Sequence, residues 1–357
     1  MKKIFNPDNL VRKNIRKLIP YSSARSEYNG KAGIFLDANE NSFGTITKTN
    51  PSLNLNRYPD PLQQELKNKI SKIKKVNPEN IFLGNGSDEP IDLLFRAFCE
   101  PSRDAVLLFP PTYGMYKVAA QINNVKIFEA PLKKDFQIDL QEVKKISKSK
   151  NLKLIFICSP NNPTGNLIGR ESILKIADEF KGIVVLDEAY VDFSPGNSIM
   201  KNLADFPNLV ILQTFSKAWG MAGARMGMAF ASKKIIDVLN RIKAPYNINI
   251  YTQKEVQKFL RFENKKNTFV SKIIAERNVL SENLSRLTIV KKVFPSDSNF
   301  LLVKFHHAIK VFEFLRKNRI IVRNRTKEIN CENCLRITVG TPKENIRLIQ
   351  LLKIFSQ

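Results

Sequence analysis

From Asn80 onward, short apolar runs with strand character alternate with segments whose apolar residues recur at helical spacing. Asn80-Ile-Phe-Leu83 is followed by a glycine turn and then by Ile91-Asp-Leu-Leu-Phe-Arg-Ala-Phe98, a helical pattern. Ala105–Phe109, Leu152–Ile157, Ile183–Leu186, Leu209–Leu212 and Met226–Phe230 read as further buried strands, with helical segments between most of them. Strands that take turns with helices define an α/β domain built on a largely parallel sheet. After about Ala244 the pattern changes to a long helical region followed by two strands, Asn299–Lys304 and Leu335–Val339. That change predicts a second, smaller α+β domain. In open α/β sheets ligands bind at the carboxyl ends of the strands, so the short motifs just after each strand are the candidate site.

The rest of the chain narrows the class. Its 357 residues suffice for two domains, and 43% apolar with 25% charged residues is a globular composition. No apolar run reaches the length of a membrane span, and the start, MKKIFNPDNLVRKN, lacks the apolar core of a signal peptide. The expectation is a cytoplasmic protein without a membrane partner. The net charge of +25 raises the question of nucleic acid, but Lys and Arg are scattered among Asp and Glu and no basic tail stands apart. A solvated basic surface is expected instead. Cys331-Glu-Asn-Cys334 has C-x-x-C spacing but lacks the second pair that a zinc site needs, and no metal is expected. His306 and His307 read as structural.

Five strand-end motifs carry chemistry. Gly84-Asn-Gly-Ser-Asp-Glu-Pro90 joins a strand to a helix. It is either an ordinary capped turn or an anion cradle, since glycines admit a ligand to the backbone and a helix start offers free N–H groups. Ser159-Pro-Asn-Asn-Pro-Thr-Gly165 is a stiff loop, suited to fixing an Asn amide. Asp187 directly follows an apolar strand; it is either an exposed cap or a buried carboxylate that pairs with a cation. Lys217, 30 residues later, sits in the apolar run QTFSKAWGMAGARMG. Either it snorkels, or its desolvated amine loses its proton and becomes a nucleophile toward aldehydes. Arg225, eight residues further on, has the guanidinium to grip a phosphate.

In this order the motifs resemble those of the fold type I pyridoxal-phosphate aminotransferases and, within them, the histidinol-phosphate aminotransferase family. The resemblance runs over nearly the whole chain. It is carried by PYSSAR near the start, LDANEN at 36–41, RYPDP at 57–61, GNGSDE at 84–89, PTYGMY at 111–116, SPNNPTG at 159–165, LDEAYVDF at 186–193, TFSKAWGMAGARMG at 214–227 and LRITVGT at 335–341. It implies an α/β fold with a large pyridoxal-phosphate domain on a mostly parallel seven-stranded sheet, at 41–250, and a small domain at 251–357 that residues 1–40 join. Lys217 would form the Schiff base with the cofactor and move the proton, and Asp187 would pair with the ring nitrogen. Asn162 and Tyr190 would hydrogen-bond the ring oxygen, and Tyr113 would stack on the ring. Ser87, Ser216 and Arg225 would surround the cofactor phosphate, with Asp88 ordering the loop. Tyr58 would reach the phosphate in the partner's site, so a two-fold homodimer with shared sites is implied. Arg336 would bind the α-carboxylate, Arg323 and Tyr21 the substrate phosphate, and Asn39 would complete the substrate pocket.

The implied reaction is amino transfer between L-histidinol phosphate and 2-oxoglutarate, giving imidazole-acetol phosphate and L-glutamate in histidine biosynthesis. Its rivals are an aminotransferase for aromatic amino acids, a decarboxylase of the same fold and, from another class, a basic nucleic-acid-binding protein.

Overall fold

The computed structural model describes residues 5–20, 34, 36–47 and 53–356; Tyr21 lies outside the described residues. The apolar runs fold as the strands of a seven-stranded sheet: β1 Ile81–Asn85, β2 Ala105–Leu108, β3 Lys126–Glu129, β4 Leu152–Cys158, β5 Ile183–Asp187, β6 Leu209–Thr214 and β7 Met226–Phe230. Their order across the sheet is β1-β7-β6-β5-β4-β2-β3. Only β7 departs from the parallel arrangement, running antiparallel to both of its neighbours, β1 and β6.

These strands lack polar alternation because both faces of the sheet are covered. Successive residues fall into two separate cores. Leu83, Leu107, Ile155, Leu186 and Ile211 pack on one side, and Phe82, Val106, Phe156, Val185 and Val210 on the other. The helix Asp88–Phe98 follows β1 and contributes Ile91, Leu94, Phe95 and Phe98 to the second core.

The smaller unit is a four-stranded antiparallel sheet, β8 Val290–Val293, β9 Phe300–Phe305, β10 Arg323–Asn324 and β11 Cys334–Thr338, in the order β10-β11-β9-β8. Its own core includes Leu301, Val303, Leu335 and Ile337. The opposite face reaches the large sheet's core, which Leu302, Cys331 and Cys334 join. Polar ties reinforce this docking: Asp297 N donates to Gly165 O at 2.7 Å, Asp297 Oδ2 accepts from Leu167 N at 3.1 Å, and Asn330 Nδ2 donates to Leu132 O at 3.0 Å. The strand-end loops of the large sheet are thereby brought against β11.

Candidate active site

A cavity of about 160 Å³ opens where the parallel strands end. Ser87, Asp88, Tyr113, Asn162, Asp187, Tyr190, Ser216, Lys217 and Arg225 all line it, joined by Cys158, Ala189, Thr214 and Ala222. A larger cleft of about 820 Å³, with Lys67, Asn240 and Arg241 on its walls, shares none of these residues. Chemistry rather than size therefore singles out the smaller cavity.

Because β7 is antiparallel, its amino end lies beside the carboxyl ends of the other strands. Arg225, immediately before β7, so meets the loop after β1. Gly86 N donates to Arg225 O at 2.8 Å, and Arg225 has a left-handed φ of 54°. The approach is close. A Cβ on Gly227 would lie 2.3 Å from the Gly86 carbonyl carbon, and one on Gly86 would lie 2.5 Å from an Arg225 guanidinium nitrogen. Gly86 itself has φ of 72°, which a side chain opposes. Ser87 starts the helix Asp88–Phe98 without its hydroxyl capping the helix. Ser87, Ser216 and Arg225 thus line the cavity beside the start of the helix Asp88–Phe98. Asp88 orders this end, accepting from Tyr113 Oη at 3.2 Å and standing 3.7 Å from Arg225.

Asp187, at the end of β5, is only 3% exposed. Tyr116 Oη donates to its Oδ2 at 2.6 Å and Ala189 N to its Oδ1 at 2.9 Å. Burial raises its pKa, and the bonds from Tyr116 and Ala189 oppose the rise. Tyr116 was not singled out in the sequence; it lies inside the helix Met115–Ile122, where nothing local separates it from a core tyrosine. The next residue, Glu188, is also buried but is occupied elsewhere, accepting from Ser198, Ile199 and Gln213.

Lys217 is not sealed in an apolar setting; its side chain is exposed at the cavity. Its amine is nevertheless held below the ordinary lysine value. Partial burial is the main cause and the like charge of Arg336 the next, with Asp187 pulling the other way. No carboxylate among the described residues forms an ion pair with it, and it lies over the Tyr190 ring at 5.5 Å. The neighbouring Trp219 is covered by Lys266 at 5.3 Å, which is itself paired with Asp192 at 2.9 Å.

The Ser159–Gly165 loop is fixed more by Asn161 than by its prolines. Asn161 Nδ2 donates to Pro111 O and Thr164 Oγ1, both at 2.8 Å, and its Oδ1 accepts from Thr112. Asn162 Oδ1 accepts from Arg336 Nη1, which leaves the Asn162 amide nitrogen as a donor at the cavity. Arg336 also lies over the Phe300 ring at 5.2 Å, and Phe300 meets Tyr190 edge-on at 5.1 Å. The Arg336 Nε is buried with no hydrogen-bond partner. In the β10–β11 register Arg323 stands directly opposite Arg336, which puts the two side chains on one face.

Four sequence-predicted residues do not line this cavity: Arg336, which reaches its lining through the bond to Asn162, Arg323 opposite it, Tyr58 and Asn39. Tyr58 is 51% exposed and stacks on Tyr246 at 4.4 Å between ring centroids. Asn39 is exposed, with φ of 54°. The two segments that carry them hold each other: Glu40 accepts from Arg57 at 2.7 Å and from Tyr58 N at 2.6 Å.

These donors test what the site can hold. An anion fits the Gly86–Arg225 end, a protonated ring nitrogen fits the buried Asp187, and an aldehyde carbon fits Lys217. One flat molecule with a phosphate at one side satisfies all three. The fold and this donor set are those of an aminotransferase, and the family model "Aminotransferase class I and II" matches residues 32–352. The chain belongs to that family. Two relatives narrow it. One from Cytophaga hutchinsonii is 50% identical over 98% of this chain and 99% of its own length, and one from Bacteroides thetaiotaomicron is 51% identical over 96% and 97%. Both are histidinol-phosphate aminotransferases, and the chain stands within that narrower group. The crystal structure of the Clostridium acetobutylicum histidinol-phosphate aminotransferase superposes with a TM-score of 0.78 at 26% identity, over 85% of this chain and 91% of that one. The Sinorhizobium meliloti enzyme in complex with pyridoxal-5'-phosphate shares the fold, with a TM-score of 0.76 at 22% identity over 89% and 90%.

Proposed function

We propose that this protein is a pyridoxal-phosphate-dependent transaminase that exchanges the amino group of L-histidinol phosphate with 2-oxoglutarate. The products are imidazole-acetol phosphate and L-glutamate, and the step belongs to histidine biosynthesis. Ser87, Ser216, Arg225 and the start of the helix Asp88–Phe98 hold the cofactor phosphate. Asp187 would pair with the ring nitrogen, Asn162 and Tyr190 would hydrogen-bond the ring oxygen, and Tyr113 would stack on the ring. When bound, pyridoxal phosphate supplies an aldehyde that takes the amino group and a ring that accepts electrons. Asp187, whose carboxylate form is favoured by the bonds from Tyr116 and Ala189 against its burial, would pair with a protonated ring nitrogen. Lys217, its amine held below the ordinary lysine value, would supply the nucleophile and move a proton to and from the substrate's reacting carbon.

The observation that carries the choice of substrate is the cross-strand pair Arg323–Arg336. Like charges directly opposite destabilise a sheet, and neither arginine has a carboxylate ion pair among the described residues. An anion between them removes the conflict. Histidinol phosphate brings a phosphate ester and no α-carboxylate, whereas glutamate brings an α-carboxylate; two guanidiniums on one face suit both. Arg336 is read as the carboxylate contact and Arg323 as the phosphate contact, with Tyr21 and Asn39 completing the pocket. The test is a steady-state comparison of histidinol phosphate, phenylalanine and tyrosine as donors. Losing a charge-assisted contact of about 1.5–3 kcal/mol costs on the order of ten- to hundredfold in kcat/KM. Arg323→Ala is expected to lose that much with histidinol phosphate alone, and Arg336→Ala to weaken every donor. Equal losses across donors in Arg323→Ala would make the aromatic aminotransferase the better reading.

The exposed Tyr58, away from its own cavity, supports a role in a neighbouring subunit's site and hence a two-fold homodimer. Residues 1–40, 41–250 and 251–357 are taken as the amino-terminal segment, the cofactor domain and the small domain. No described helix is long and apolar enough to cross a membrane.

A further inference from the structure

Lys243 is buried, yet no carboxylate among the described residues forms an ion pair with it. Its amine is caged by four neutral oxygens: Pro61 O at 2.7 Å, Asn247 Oδ1 at 3.1 Å, Pro245 O at 3.1 Å and Ala244 O at 3.3 Å. An all-acceptor cage calls for a cation, because an ammonium offers three donors and no acceptor. Burial lowers the pKa to about 8, with Glu89 and Asp60 opposing, so the group stays charged at neutral pH.

The cage belongs to a longer path. Asn247 Nδ2 donates to both Glu89 oxygens at 3.1 Å and to Leu83 O at 2.9 Å. Glu89 in turn accepts from Asn85 N, the last residue of β1, next to the loop whose Gly86 and Ser87 build the anion end of the cavity. At the other end, Pro61 closes the Arg57–Pro61 segment that carries Tyr58. Gln63 reinforces the join, donating to Pro61 O at 2.8 Å. Tyr246, three residues beyond Lys243, stacks on the Tyr58 ring. One buried cation thus connects the segment that presents Tyr58 with the loop that receives the cofactor phosphate.

We propose that Lys243 is a positioning residue for the transamination, a tethered cation that holds the Tyr58 segment in register with the phosphate loop. The proposal rests on the reading of Tyr58 as a phosphate contact in the neighbouring site. A lysine that only fills space would affect stability alone. One that positions Tyr58 also sets how tightly the cofactor is held.

The experiment titrates pyridoxal phosphate into the full-length apo-enzyme of Lys243→Met, Tyr58→Phe and the double variant, following the visible absorbance and, separately, Tm. Lys243→Met is expected to raise the cofactor Kd on the order of tenfold. Tyr58→Phe is expected to raise it too, and the double variant by less than the product. Methylammonium, which can donate into the cage, is expected to recover part of the affinity in Lys243→Ala, and tetramethylammonium, which cannot donate, is not. If Lys243→Met does not fold, Asn247→Ala cuts the path one link further on and takes its place in the titration. A lowered Tm with unchanged cofactor Kd would overturn the proposal while leaving Tyr58's role standing. A shift in Lys243→Met without one in Tyr58→Phe would overturn the role of Tyr58 and with it the claim that Lys243 acts through that segment. Independent, multiplying effects would overturn the coupling as well.

Discussion

At the scale of single residues, the site depends on two groups whose pKa values burial moves from the ordinary ones. Lys217 keeps its amine below the ordinary value of 10.5 through partial burial and the charge of Arg336. The folded chain therefore binds that proton less tightly than the unfolded one, and the linked stability rises with pH between the lowered value and 10.5. Replacing Arg336 with Met removes the like charge, so the Lys217 pKa should rise. The pH profile for capture of pyridoxal phosphate by the apo-enzyme should then move to higher pH; an unmoved profile would mean that burial alone sets the amine. Lys217→Ala is expected to keep its Tm and lose multiple turnover, and near-normal turnover there would remove the basis of the whole assignment. Asp187 is the second group. Tyr116→Phe deletes the bond that opposes burial, so the Asp187 pKa should climb and the acid limb of kcat/KM should move to higher pH. The accompanying loss is about 1–2 kcal/mol of stability and roughly tenfold in kcat/KM. Asp187, Asn162 and Lys217 could be singled out in the sequence because each stands at or soon after the end of an apolar strand, and Arg225 because it directly precedes one. Tyr116 could not, because it reaches Asp187 across the fold from the first turn of a helix.

At the scale of elements, strands buried on both faces could be read, β1 at one sheet edge included, and the partly covered edge strands could not. Leu154 to Ile157 and Leu209 to Leu212 are buried on both sides and appear as continuous apolar runs. Lys126-Ile-Phe-Glu129 and Val290-Lys-Lys-Val293 lie at sheet edges, are only partly covered, and carry charges that mask the strand signal. The two-residue β10 is too short to have a period at all. The reversed direction of β7 was equally hidden, since a short apolar run has no arrow. Its consequence is testable at Gly227. A methyl there would meet the Gly86 backbone, which has no flexible side chain to yield. Gly227→Ala is expected to cost roughly 1–3 kcal/mol by thermal denaturation and to weaken pyridoxal phosphate binding, because the loop after β1 must move away from Arg225. Unchanged Tm and cofactor Kd would show that the two loops are not packed against each other.

At the scale of the whole molecule, the proposed two-fold dimer makes each cavity depend on the neighbour. Mixed Tyr58→Ala and Lys217→Ala subunits, each severely impaired alone, are expected to regain activity at one site of the hybrid; an active species that sediments as a monomer would end the shared-site reading. A different dependence follows from the docking of the small sheet. Leu302, Cys331 and Cys334 complete the same apolar core as Leu66 and Ile81. During synthesis, which delivers the chain from its amino end, that core stays open until residue 334 has left the ribosome. The early residues must wait, partly collapsed and sticky, for the late ones. Nascent chains stopped short of that point would be clients for chaperones, and the completed protein should melt in one step.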